Sequence, residues 1–187
     1  MPLPTPQAER SLIHTRSVRF EGFKRADGRW DIEGHLTDVK TVAARLASGV
    51  RPAGEPVHDM WIRLTIDREL NVLEAAAASD AVPYPGHCDD VTPAFHRLAG
   101  LNLARGFRKA VQDLFGGVQG CTHLTEMLMQ FPTAAIQARA SERRDNDDEG
   151  AKPFQLDRCH ALDTRGEAVR RYYPRWYRGA KTGALKA

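Results

Sequence analysis

Long apolar runs are missing from this chain of 187 residues. None approaches the roughly 20 residues that a membrane-spanning helix needs, which argues against a membrane partner. Met1 to Arg10 is rich in proline and has no apolar signal region, which points away from secretion. Cysteine is scarce: Cys88, Cys121 and Cys159 make an odd number at irregular spacing, with no Cys-x-x-Cys pair. Such usage is not a disulfide framework, and a cytoplasmic protein is expected. Charge of one sign is also lacking. A formal net charge of +3 creates no general field for polyanions, so nucleic acid is not the expected partner. The chain has no Gly-x-Gly-x-x-Gly, no Gly-Lys-Ser/Thr phosphate loop, no His-Glu-x-x-His and no Gly-x-Ser-x-Gly. These absences argue against nucleotide-driven chemistry, zincin proteolysis and α/β-hydrolase action.

The hydrophobic fraction of 42% supports a real core. His14 to Phe23 alternates imperfectly, Ala26-Asp27-Gly28 signals a turn, and Trp30 to Leu36 alternates apolar with polar. Together they predict a hairpin with one buried face. Gly49 to Gly54 reads as a proline-containing loop. Met60 to Asp67 is the clearest strand, with Ile62, Leu64 and Ile66 on one face. Val72 to Ala78 reads as its returning partner, although the alanines also suit a helix. Pro83-Tyr84-Pro85-Gly86 then forces an irregular loop.

Helical spacing follows. Thr92-Pro93 starts one helix. A second carries Leu103, Phe107, Val111 and Leu114 and stops at Gly116-Gly117. A third starts near Thr122, carries Leu124, Leu128, Phe131 and Ala135, and is bent by Pro132. The order of strands then helices predicts an α+β fold, an N-terminal antiparallel sheet packed on C-terminal helices. The expected organisation is a flexible lead over 1–11, one α+β domain over 12–140, a charged linker over 141–152, an extension over 153–178 and a frayed tail over 179–187. Within the extension, Leu156 to Leu162 and Ala168 to Tyr173 read as a strand pair, with Cys159 facing inward. Arg170 to Arg178 mixes cations with aromatics, which pack back while the arginines stay wet. His14, His35 and His96 read as surface histidines.

Three places carry chemistry, all read as loops: His58-Asp59, His87-Cys88-Asp89-Asp90, and Gly116-Gly117-Val118-Gln119-Gly120-Cys121-Thr122-His123-Leu124. Thiolate, imidazole and carboxylate are the donors zinc prefers, and thiolates hold iron–sulfur clusters. His58, Asp59, Cys88, Cys121 and His123 therefore form a candidate site for zinc, iron or a cluster, with Cys88 and Cys121 as the thiolates. The same residues also suit metal-free chemistry. Cys121 beside His58 or His123 is a nucleophile and base, and His58, Asp59 and His123 are acid and base for a small-molecule lyase or hydrolase. Tyr84, Trp61 and Phe95 would then line an aromatic pocket. Both readings stay open, as does the absence of any cofactor.

The order of pieces resembles the NifU/IscU-type iron–sulfur scaffold. Pro56-Val57-His58-Asp59 stands before an alternating strand, Gly86-His87-Cys88 follows the hairpin, and Gly120-Cys121 heads a helix. The resemblance implies a metal centre shared by these loops, with client proteins as partners. His58 stands where that family has its first cysteine, and Gly120 where it has a histidine, which makes the site harder and less cluster-like. Over nearly its whole length the chain also resembles a family of bacterial domains of unknown function that share Gly-Cys-Thr-His-Leu. That likeness bears on fold and brings no activity.

Overall fold

The computed structural model describes residues 3–140 and 150–179. The chain divides into two compact units, Met1–Ala140 and Ser141–Ala187. Most of the linker expected over 141–152 and nearly all of the tail expected from 179 lie outside the described residues.

The first unit is α+β. Four strands, β1 (His14–Lys24), β2 (Trp30–Lys40), β5 (Pro56–Ile66) and β6 (Val72–Ala81), form an antiparallel sheet in the order β1-β2-β5-β6. Between β2 and β5 lies a small hairpin, β3 (Ala44–Leu46) with β4 (Gly49–Arg51), so the loop expected over Gly49 to Gly54 begins as strand. The alanine-rich segment is strand, not helix, because it closes the sheet against β5. Thr92–Leu98 is a 3-10 helix. Then come α1 (Phe107–Phe115), α2 (Thr122–Leu128) and α3 (Phe131–Ala138). The predicted third helix is thus two. Proline lacks the N–H that helix continuation needs, and Pro132 sits in the first turn of α3.

Alternation decides which side chains face the helices. On β2, Trp30, Ile32, Leu36 and Asp38 are buried, and on β5 Met60, Ile62, Leu64 and Ile66 are buried. This face packs on Phe95, Phe107, Val111, Phe115, Leu124, Met127, Leu128 and Phe131. Gly34 lies in the same phase. A Cβ there would be 3.0 Å from Phe20 Cε1 and 3.1 Å from both Met127 Sδ and Phe131 Cε2. Glycine therefore lets α2 and α3 approach the sheet closely, and this approach delivers the start of α2 to the end of β2.

In the second unit, Asp157 accepts hydrogen bonds from the Thr164 N–H at 2.8 Å, the Thr164 hydroxyl at 2.9 Å and Lys152 at 2.6 Å. The strand pair expected here is absent among the described residues. Leu156 to Leu162 is turn and 3-10 helix, and Ala168 to Tyr172 lies in α4 (Glu167–Tyr172). The Glu167 and Arg170 pair, three residues apart, suits a helix. Cys159 is exposed, not packed inward.

Candidate functional site

A row of polar side chains crosses the helix-facing side of the sheet at one end. Register places Arg16 of β1 opposite Asp38 of β2, and Asp38 opposite His58 of β5. Pairing shifts by one residue immediately after the Asp38 and His58 pair, and again between Asp59 and Met60 on the β6 side. Such irregularities re-aim side chains at the end of a sheet.

Asp38 is only 4% exposed. Arg16 grips it with two parallel hydrogen bonds, Nε to Oδ1 and Nη2 to Oδ2, both 2.8 Å. His14 Nε2 meets Oδ1 at 2.8 Å, and His58 Nδ1 meets Oδ2 at 3.0 Å. Each oxygen therefore takes two bonds, which fills the four lone-pair positions of a carboxylate. Burial by itself raises the Asp38 carboxyl. The bonds from Arg16 and His14, with the charges of Arg16 and His58, outweigh it and hold the group well below the usual carboxylate range. Asp38 is thus ionised and can only accept. His58 Nδ1 must carry the hydrogen, and neutral His58 keeps a free lone pair on Nε2.

His123, on the first turn of α2, packs against His58 with ring centroids 3.9 Å apart and the planes tilted by 34°. Its Nε2 lies 3.9 Å from Asp38 Oδ2, beyond a hydrogen bond. Burial lowers the pKa of His58, helped by repulsion from His123 and Arg16 against the pull of Asp38. Burial, then Arg16, lowers His123, against Asp38 and Glu126. Both rings are neutral near pH 7, the form that acts as a base or a ligand.

The sign of the resulting pH dependence is fixed. Below pH about 6.5, unfolded histidines take up protons that folded His58 and His123 resist, so stability falls with pH. The slope is at most about 1.4 kcal/mol per pH unit for each ring. Asp38 adds its own loss only below about pH 4, where unfolded carboxylates protonate. Urea unfolding at pH 7.5 and 5.5 should show lower stability at 5.5, with the difference reduced in H58Q/H123Q. Equal loss in that variant would contradict the assignment.

His14, Arg16, Lys40 and Val57 join Asp38, His58 and His123 around an open cleft of about 200 Å³. This is smaller than a drug-sized pocket and suits a small molecule.

The expected five-residue site is divided. His58 and His123 come together. Asp59 does not join them, because His58-Asp59 lies within β5 rather than in a loop, and adjacent strand residues face opposite sides. Asp59 turns to the outer face and bonds His35 Nε2 at 2.6 Å, while His35 stacks on Trp61 at 3.6 Å. Cys88 packs at the margin of the apolar core. Cys121 also packs there, with Sγ 3.8 Å from His123 Nδ1. The potential donor set is Asp38, His58 and His123, whose ligand atoms all lie within 4.8 Å of one another. Neither thiolate belongs to it, so a shared cluster has no support. His14, expected at the surface, is part of the site, as is Arg16. Phe95 is fully buried in the core and is not among the residues around this cleft. Among the described residues no helix is long and apolar enough to cross a membrane.

An α+β domain with a buried carboxylate and two adjoining histidines at the sheet end is the class that fold and site define. Residues 14–137, more than half of the chain, match the family described as Protein of unknown function (DUF2889), and the protein belongs to that family. No curated protein and no solved structure matches it. The likeness to cluster scaffolds, and the Gly-Cys-Thr-His-Leu run as a family signature, are not supported.

Proposed function

We propose that the cleft is the active site of a metal-independent enzyme of the lyase type, with His58 as the general base that takes a proton from carbon in a small molecule. The observation that carries this reading is the full hydrogen bonding of Asp38. A saturated, ionised carboxylate fixes the His58 tautomer and ring, and the neutral ring keeps Nε2 for a substrate proton. A general base needs this combination of geometry and protonation state. The proton that His58 Nε2 takes up is the one it can return to the product, and the His123 ring packs against His58 and helps fix its plane. Asp38 is a positioning residue that acts through His58.

The test reads proton abstraction directly. Small keto and hydroxy carboxylic acids are incubated with the protein in deuterium oxide, and exchange of substrate C–H for deuterium is followed by proton NMR. Exchange by the wild type, lost in H58Q, supports the reading. No exchange above the protein-free rate across the panel contradicts it.

One observation favours a second reading, a mononuclear divalent metal bound by Asp38, His58 and His123. The donor types and their 4.8 Å grouping suit zinc or iron(II). Arg16 opposes it. A metal on Asp38 must displace one of four existing bonds and sit beside a guanidinium that shares the carboxylate.

A further inference from the structure

We propose that the ligand of this cleft is a small monoanion of the carboxylate class, held by Lys40. The inference rests on the cleft being the ligand site and adds the chemistry of what enters it.

Charge carries the argument. The formally charged groups lining the cleft are Arg16, Lys40 and Asp38. Two cations and one carboxylate leave one positive charge unmatched. Arg16 is not the free cation, since its guanidinium is bound to Asp38 at both ends and also lies 3.5 Å from the exposed Glu126. Lys40 makes no ion pair among the described residues. It ends β2 opposite His14, half-buried and lining the cleft. An unpaired ammonium beside a partly desolvated cavity favours an anion more than it would in open water. A single unmatched charge suits a carboxylate better than a phosphate dianion. Val57 gives an apolar wall for the body of the ligand. Lys40 at the rim and His58 within the same cleft would hold a carboxylate at one end and present the remainder to the base.

Nitrogen–proton correlation spectra of the full chain, titrated with benzoate, benzamide, acetate and inorganic phosphate, test this. One charge-assisted contact corresponds to about tenfold in affinity. Benzoate should bind about tenfold more tightly than its neutral isostere benzamide, with shifts at His14, Lys40 and His58. K40Q should weaken benzoate by about the same factor and leave benzamide unchanged, while K40R restores most of the loss. Equal affinity for benzoate and benzamide, or wild-type benzoate binding by K40Q, overturns the proposal. Phosphate binding more tightly than benzoate overturns the carboxylate class. Because binding is read without turnover, these results are separate from the exchange assay on H58Q, and either reading can fail alone.

Discussion

D38N lowers the unfolding free energy by about 2–4 kcal/mol, measured by urea unfolding at pH 7.5. Asparagine matches aspartate in size, so no cavity is involved. The loss comes from polarity. Asp38 accepts from Arg16, His14 and His58 at once. An amide offers one oxygen and turns its NH2 donor toward groups that are themselves donors. The full penalty for breaking a buried pair is about 3–5 kcal/mol. Arg16 and His14 are 37% and 36% exposed, so water recovers part of it. A double variant with R16M should lose less than the two single changes added together, because each single change strands the other partner. A D38N loss under about 1 kcal/mol would show that the network is not a structural unit.

H58Q should reduce deuterium exchange on a turned-over substrate by about 10²- to 10⁴-fold, the range that a positioned base contributes. Glutamine keeps a side chain that can donate to Asp38 but has no basic nitrogen. Folding and benzoate binding should therefore stay close to wild type while exchange collapses. H123Q should have a smaller effect, because His123 has no direct bond to the carboxylate and sits 3.9 Å from it. Retained exchange in H58Q, with loss in H123Q or C121S, would move the base to another side chain.

Much of this site was present in the sequence as phase, and proximity in sequence obscured it. Alternation in Trp30 to Leu36 identifies the buried face of β2. Continued by two residues, it puts Asp38 on that face, an acid where aliphatics are expected. The same count back from Met60 places His58 inward and Asp59 outward. Treating His58-Asp59 as a loop ended the count too early, since strand β5 begins at Pro56. The adjacency of His58 and Asp59 was therefore misleading, whereas residues twenty apart, Asp38 and His58, face each other. Arg16 and His14 were harder to find. β1 is mostly exposed, so its pattern has little apolar contrast, and only the register with β2 brings the two to Asp38. Cys88 and Cys121 attracted attention for their reactivity, yet both behave as small apolar side chains at the core margin. The gross fold was more legible, because strand and helix periods differ sharply over Trp30 to Ile66 and Phe107 to Ala138. The C-terminal unit was not, because short turns and one-turn helices leave no period to read.

The central claim is that ionised Asp38 fixes the His58 hydrogen on Nδ1, while burial keeps the ring neutral against the pull of that carboxylate and leaves Nε2 free. Imidazole nitrogen NMR at pH 7 reads this directly. The account predicts a protonated Nδ1 and an unprotonated Nε2 for His58, titrating below the ordinary histidine pKa of about 6.5. A hydrogen on Nε2, or a charged ring at pH 7, would contradict it.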